Sequence, residues 1–262
     1  MLNKTKLLQS VKEDERMLFA RALDRAELAA KAYEPQFSDF MDPFKMAALM
    51  EIVSKEFGFT LNIMPWGGCD SAERKICGFF PDYMEPEPEL FPIACLRIGY
   101  NSKFSRPLAH RDFLGSVLGL GINREKTGDI YIEDDCAYMY MDRDIADFTA
   151  SSLERVGHTK VKCELAAEYK KAEEKGTEKR FTVASLRLDA VLSGAFNISR
   201  GKIAELIKGE KAFINWQSCT NTATTVAKGD MLTLRGTGRV LIKEICGITK
   251  KDRVALVAEI YK

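Results

Sequence analysis

The sequence predicts an α+β fold in successive parts. These are an N-terminal α/β region over 1–80, a middle ferredoxin-like domain of order βαββαβ over 81–165, a charged linker over 166–180 and a C-terminal module with closing strands over 181–262. Three observations carry this reading. Strand-type and helix-type apolar patterns follow one another in the βαββαβ order between Ile93 and Glu164. Four of the eight prolines (Pro81, Pro86, Pro88 and Pro92) crowd together just before it, as in a loop at a domain boundary. Residues 165–180 then carry charge with no apolar face, as a connection does.

In chain order, Leu7, Leu8, Val11, Leu18 and Ala22 predict one or two amphipathic helices within the first thirty residues. Asp42 suits an N-cap and Pro43 the first helical position, so a helix is expected from Phe44 to Phe57, stopped by Gly58. Phe59–Met64 reads as a strand broken by Pro65-Trp-Gly-Gly68. The middle domain is expected to run strand Ile93–Tyr100, helix His110–Leu120, strands Asp129–Ile132 and Cys136–Met141, helix Asp142–Val156 ended by Gly157, and strand Lys160–Glu164. That order predicts a four-stranded antiparallel sheet with two helices on one face. No internal repeat or low-complexity tract interrupts it.

Composition narrows the function classes. Of 262 residues, 46% are hydrophobic and 29% charged, which excludes a disordered or collagen-like chain. No apolar run reaches membrane-spanning length and the first residues lack a secretory leader, so a cytoplasmic protein is expected. Seven scattered cysteines without a Cys-x-x-Cys pair, and two histidines in all, give no zinc spacing; reduced, buried thiols and no metal or cofactor are expected. The net charge of +1 conceals an asymmetry: from Arg180 to Lys243 there are ten basic and four acidic residues, against an acidic excess elsewhere. A basic module on a near-neutral body is the electrostatic footprint of a nucleic-acid binder.

Several motifs resemble catalytic ones and fail on inspection. His110-Arg111-Asp112 opens like a kinase catalytic loop, but Val117 stands where the metal-binding Asn belongs, with no Asp-Phe-Gly after it. Gly119-Leu-Gly121 follows a helix, whereas a dinucleotide fingerprint follows a strand, and Arg124 replaces its third glycine. This removes a cofactor-dependent methyltransferase from the front of the alternatives. Asp189, in an Arg-Leu-Asp context shared with pseudouridine synthases, is read as capping or pairing locally. Asp112 or His110 is read as starting its helix, with Arg111 facing outward. A second RNA surface is expected from His110, Arg111, Arg124 and Lys126, with Tyr138 and Tyr140 on one face of the third strand, where an RRM stacks bases.

The basic end carries Arg187-Leu-Asp189, then Ser199-Arg200-Gly-Lys202 and Ile207-Lys208-Gly209, then Asn215 after alternating apolar residues and Gly229-Asp230 before a last strand. In combination these resemble the S4 domain, a small RNA-binding module. Ser199 can cap a helix whose first turn holds Arg200 and Lys202. Cations there oppose the helix dipole, so a docked phosphate is the expected reason for them, and an acid at position 200 is expected to leave the helix neutral or slightly more stable. The candidate RNA-binding residues are Arg187, Arg200, Lys202, Lys208, Lys211, Arg235 and Arg239.

Upstream, Phe37-Ser-Asp-Phe-Met-Asp-Pro43, Gly67-Gly68 with Ala72-Glu-Arg74, His110-Arg-Asp-Phe-Leu-Gly115 and Leu120-Gly-Ile-Asn-Arg124 through Gly128-Asp129 resemble the bacterial YlmH-type RNA-binding proteins. The resemblance runs over essentially the whole chain, with Asn123 and Thr127 departing from the Lys and Ile of the pattern. It implies a middle RNA-binding domain of ferredoxin or RRM-like shape and a C-terminal S4 domain, with no recognised activity and an association with the large ribosomal subunit in stalled translation. The expected function is therefore binding of ribosomal or transfer RNA, with no small-molecule substrate and no membrane partner. An RNA-modifying enzyme, of pseudouridine synthase or methyltransferase type with an S4 substrate-binding domain, is the alternative, and an interaction adaptor acting through the acidic front half is a third reading.

Overall fold

A computed structural model describes residues 4–9, 11–102, 106–167, 169, 176–249 and 252–261. It forms two compact units, Met1–Lys171 and Ala172–Lys262.

The first unit begins with α1 (Lys4–Leu7), α2 (Arg16–Ala32), β1 (Gln36–Phe37), α3 (Pro43–Phe57), β2 (Leu61–Trp66) and β3 (Ile76–Pro81). Asp42 caps α3 as expected, its side chain accepting from the Lys45 N–H at 3.0 Å, and Gly58 ends it at φ +53°. The strands form an antiparallel sheet of order β1-β3-β2. Pro65 does not break β2 as the sequence suggested. It lies inside the strand opposite Cys77, which an edge position tolerates because one side of the strand needs no ladder donor. Every position of β3 is buried. Cys77 and Phe79 face the helices, with Leu23, Leu49 and Val53, while Ile76 and Phe80 pack with Phe40 and Phe91. Phe91 closes the proline-rich stretch, so that stretch joins packed subdomains within one compact unit.

The middle domain follows with β4 (Ile93–Tyr100), α4 (His110–Leu118), β5 (Thr127–Ile132), β6 (Cys136–Asp142), α5 (Arg143–Ser152), β7 (Arg155–Val156) and β8 (Thr159–Ala166). Strand order is β5-β6-β4-β8-β7, antiparallel throughout. The first four strands have the split βαβ arrangement that the sequence predicted. The extra strand corrects the last helix: α5 stops at Ser152, and Gly157 sits at φ +58° in the turn between β7 and β8. Both helices cover one face, with Phe113, Val117 and Ala146 on Leu96, Ile98, Met139 and Met141.

The second unit comprises β9 (Thr177–Val183), α6 (Leu188–Phe196), α7 (Arg200–Lys208), β10 (Ala212–Ile214), β11 (Gln217–Ser218), β12 (Met231–Leu234), β13 (Gly238–Ile248) and β14 (Val254–Tyr261). The linker expected over 166–180 is shorter than that, since Ala166 ends β8 and Thr177–Arg180 open β9; residues 168 and 170–175 lie outside the described residues. The sheet runs β11-β10-β12-β13-β14-β9. Leu188, Val191, Leu192, Ile203 and Ile207 of the helices are fully buried against Leu232, Leu234, Val240 and Ile242 on its inner face. Each such aliphatic stabilises the unit by roughly 1.5–3 kcal/mol.

Candidate nucleic-acid interface

The site is built where α6 and α7 begin. Ser199 caps α7, its hydroxyl accepting from the Lys202 N–H at 3.5 Å. Asp189, 6% exposed in the first turn of α6, accepts from three donors: Arg200 Nη2 at 2.7 Å, the Ala190 N–H at 2.8 Å and Arg187 Nε at 3.2 Å. Burial would raise its pKa, but the bonds from Arg200 and Arg187, and their charges, outweigh this and hold it below the usual carboxylate range. The local pairing expected for Asp189 is thus what the fold contains, and it supplies the reason for a cation in the first turn of α7. One carboxylate fixes two guanidiniums and joins two helix starts. The trio keeps a net charge of +1, with the Arg187 and Arg200 side chains 42% and 51% exposed.

The remaining predicted cations do not form one patch. Lys202, Lys208 and Lys211 are exposed and make no ion pair among the described residues. At about 100° per residue, Lys208 lies within about 80° of Arg200 on one flank of α7, while Lys202 lies on the other. Arg235 and Arg239 belong elsewhere. Phe213, Thr233, Arg239 and Tyr261 are successive cross-strand neighbours, alternating with the core residues, and so occupy the sheet face turned away from the helices. There Arg235 lies over the Phe213 ring at 4.4 Å and Arg239 over Tyr261 at 6.0 Å.

In the middle domain the expected second surface is mostly committed to internal partners. Arg124 donates to Thr127 O at 2.7 Å and Gly128 O at 3.3 Å, and burial, with Arg74 nearby, lowers its pKa to about 10. Lys126 is neutralised between Asp39 at 2.9 Å and Asp142 at 2.7 Å. His110 has its pKa lowered by burial and then by Arg124. Asp112 accepts from the Ala109 N–H at 2.8 Å and starts α4, and of this group His110 and Arg111 are the exposed residues.

The tyrosine face is closed by residues that sequence reasoning missed. Tyr169 stacks on Tyr138 with ring centroids 4.3 Å apart and 19° between planes. Tyr140 is buried, donating to Tyr169 O at 2.9 Å. Gly68 at φ +98° lies against its ring, where a Cβ would stand 2.2 Å from the nearest ring carbon. Arg74 belongs to the Ala72-Glu-Arg74 motif. It donates to Phe40 O, Thr127 O and Arg124 O, beside Asp129, which accepts from the Glu73 N–H at 2.5 Å. Nothing in the sequence signalled this, since Arg74 stands between the charged residues Glu73 and Lys75.

These features define an α+β protein in which a split βαβ domain precedes a helix-and-sheet unit with cations at its helix starts. The chain belongs to the YlmH family. Over 266 aligned residues it is 33% identical to ribosome-associated protein quality control protein P2 of Bacillus subtilis (strain 168), a match covering 98% of this chain and 99% of that protein. Residues 86–170 match the family described as "Putative RNA-binding domain in YlmH". Among solved structures, cell division protein ylmH from Streptococcus pneumoniae shares the fold with a TM-score of 0.50 and 24% identity, over 60% of this chain and 94% of that one. No helix of the described residues is long and apolar enough to cross a membrane.

Proposed function

We propose that this chain is a ribosome-associated RNA-binding protein. Its C-terminal unit acts as an S4-type module and docks structured ribosomal or transfer RNA on the large ribosomal subunit. It works by holding RNA in place, with no bond made or broken. The observation that carries the reading is the pair of helix starts: a capped α7 whose Arg200 and Gly201 N–H groups make no hydrogen bond among the described residues, flanked by two guanidiniums that a buried carboxylate holds and by lysines that make no ion pair among those residues. Backbone donors plus positioned cations are what a phosphate requires. The quality-control role printed for the Bacillus subtilis relative supports a ribosomal partner.

The test is a salt series of binding to large ribosomal subunits. Counting the Asp189 trio as one net charge beside Lys202, Lys208 and Lys211, about four phosphates are neutralised, so log affinity should fall with log salt at a slope of about −3 to −3.5. Lys208→Gln should reduce that slope by just under one unit. A slope near zero, or one unmoved by Lys208→Gln, refutes the site.

A further inference from the structure

The face of the middle sheet turned away from α4 and α5 differs from one side to the other. On β6 it is covered, since Tyr169 stacks on Tyr138. On β7 and β8 it is open and basic. Val156, Val161 and Cys163 pack on the helix side, so the residues alternating with them, Arg155, Lys160 and Lys162, belong to the opposite face. All three are exposed and make no ion pair among the described residues.

This arrangement costs the fold something. Arg155 and Lys160 are direct cross-strand partners, and like charges set opposite each other destabilise an antiparallel pair. A lysine on a sheet edge guards against stray strand pairing, which accounts for Lys162 but not for an arginine facing a lysine. The acid next along this face of β8, Glu164, is held by Arg97 at 2.9 Å. Beside Lys162 stands Gly99, with no side chain to cover it. Arg155, Lys160 and Lys162 line one open groove of about 490 Å³, to which Glu154 contributes the single acid.

We propose that Arg155, Lys160 and Lys162 grip the phosphate backbone of RNA, a contact made in addition to that of the helix starts. A phosphate docked between Arg155 and Lys160 replaces one repulsion by two attractions, and backbone contacts of this kind need no base-specific pocket. This rests on the RNA-binding reading of the chain.

The experiment compares the full chain with a triple variant, Arg155→Gln, Lys160→Gln and Lys162→Gln, in a salt series of binding to Bacillus subtilis large ribosomal subunits. The helix starts by themselves give a slope of about −3 to −3.5. With Glu154 counted against the three cations, roughly two to three more phosphates are neutralised, which brings wild type to about −4.5 to −6. The triple variant should return to the helix-start value and melt at or above the wild-type temperature, because the repulsion is gone. A slope that the triple variant leaves unchanged overturns the inference and leaves the RNA reading in place. A slope near zero, or one unmoved by Lys208→Gln, overturns that reading instead. A triple variant that melts well below wild type also overturns the inference, since the cations would then be holding the fold. The same loss of slope must appear with protein-free large-subunit ribosomal RNA; a loss seen only with intact subunits would assign the groove to an acidic ribosomal protein and overturn the RNA contact.

Discussion

Arg200→Glu sets two physical effects against each other. An acid in the first turn of α7 gains from the helix dipole, about 0.3–1 kcal/mol at an exposed position. The same substitution removes the 2.7 Å bond to a carboxylate whose side chain is 9% exposed and places a second carboxylate beside it. Breaking a fully buried pair costs about 3–5 kcal/mol. Here Arg200 is half exposed and Arg187 stays in place, so solvent screening reduces the loss to about 1–2 kcal/mol. The new repulsion, between a buried carboxylate and a half-exposed position open to water, adds about 1 kcal/mol at water-like dielectric. The net expectation is destabilisation by about 2 kcal/mol, which overturns the neutral or stabilising outcome that the sequence suggested. For a unit the size of Ala172–Lys262 this lowers the melting temperature by roughly 10 °C. The assay is thermal melting followed by tryptophan fluorescence in a Trp66→Phe background, where Trp216 alone reports on this unit. Because the folded pKa of Asp189 is depressed, its contribution is present above the unfolded value of about 3.9 and is lost as pH falls through the folded value. The gap between wild type and Asp189→Asn should therefore close below about pH 4. A melting temperature that Arg200→Glu leaves unchanged or raises would mean that the dipole outweighs the pair.

Two further substitutions test the first unit. Gly68→Ala combines a positive φ with a Cβ driven into the buried Tyr140 ring, and should destabilise by about 3 kcal/mol or more; a Trp66 fluorescence melt within 2 °C of wild type would contradict that packing. Arg74→Ala strips donors from three main-chain carbonyls and should cost about 2–4 kcal/mol in the same melt, while leaving the salt slope of RNA binding at low temperature unchanged; an altered slope would instead make Arg74 a phosphate contact.

Elements with local signals were legible in the amino-acid order alone. Asp42 with Pro43 marked the start of α3, Ser199 that of α7, and the alternation of patterns from Ile93 onward specified the split βαβ order, because caps and periodicity act within a few residues. The amino-acid order also located the basic helix starts and the local pairing of Asp189. What it could not determine was which charges and rings find partners far along the chain. Arg124 and Lys126 read as a cationic surface, yet Lys126 is neutralised by Asp39 and Asp142, and Arg124 is spent on backbone carbonyls beside Arg74. Tyr138 and Tyr140 share a strand face as their spacing requires, but Tyr169 already covers that face. Likewise, Arg235 and Arg239 separate from Arg200 only because strand register turns them to the other side of the sheet. The physical reason is the same in each case. A side chain's type is written in the sequence, whereas its solvent exposure and its partner are set by which distant segments the packed sheet brings against it.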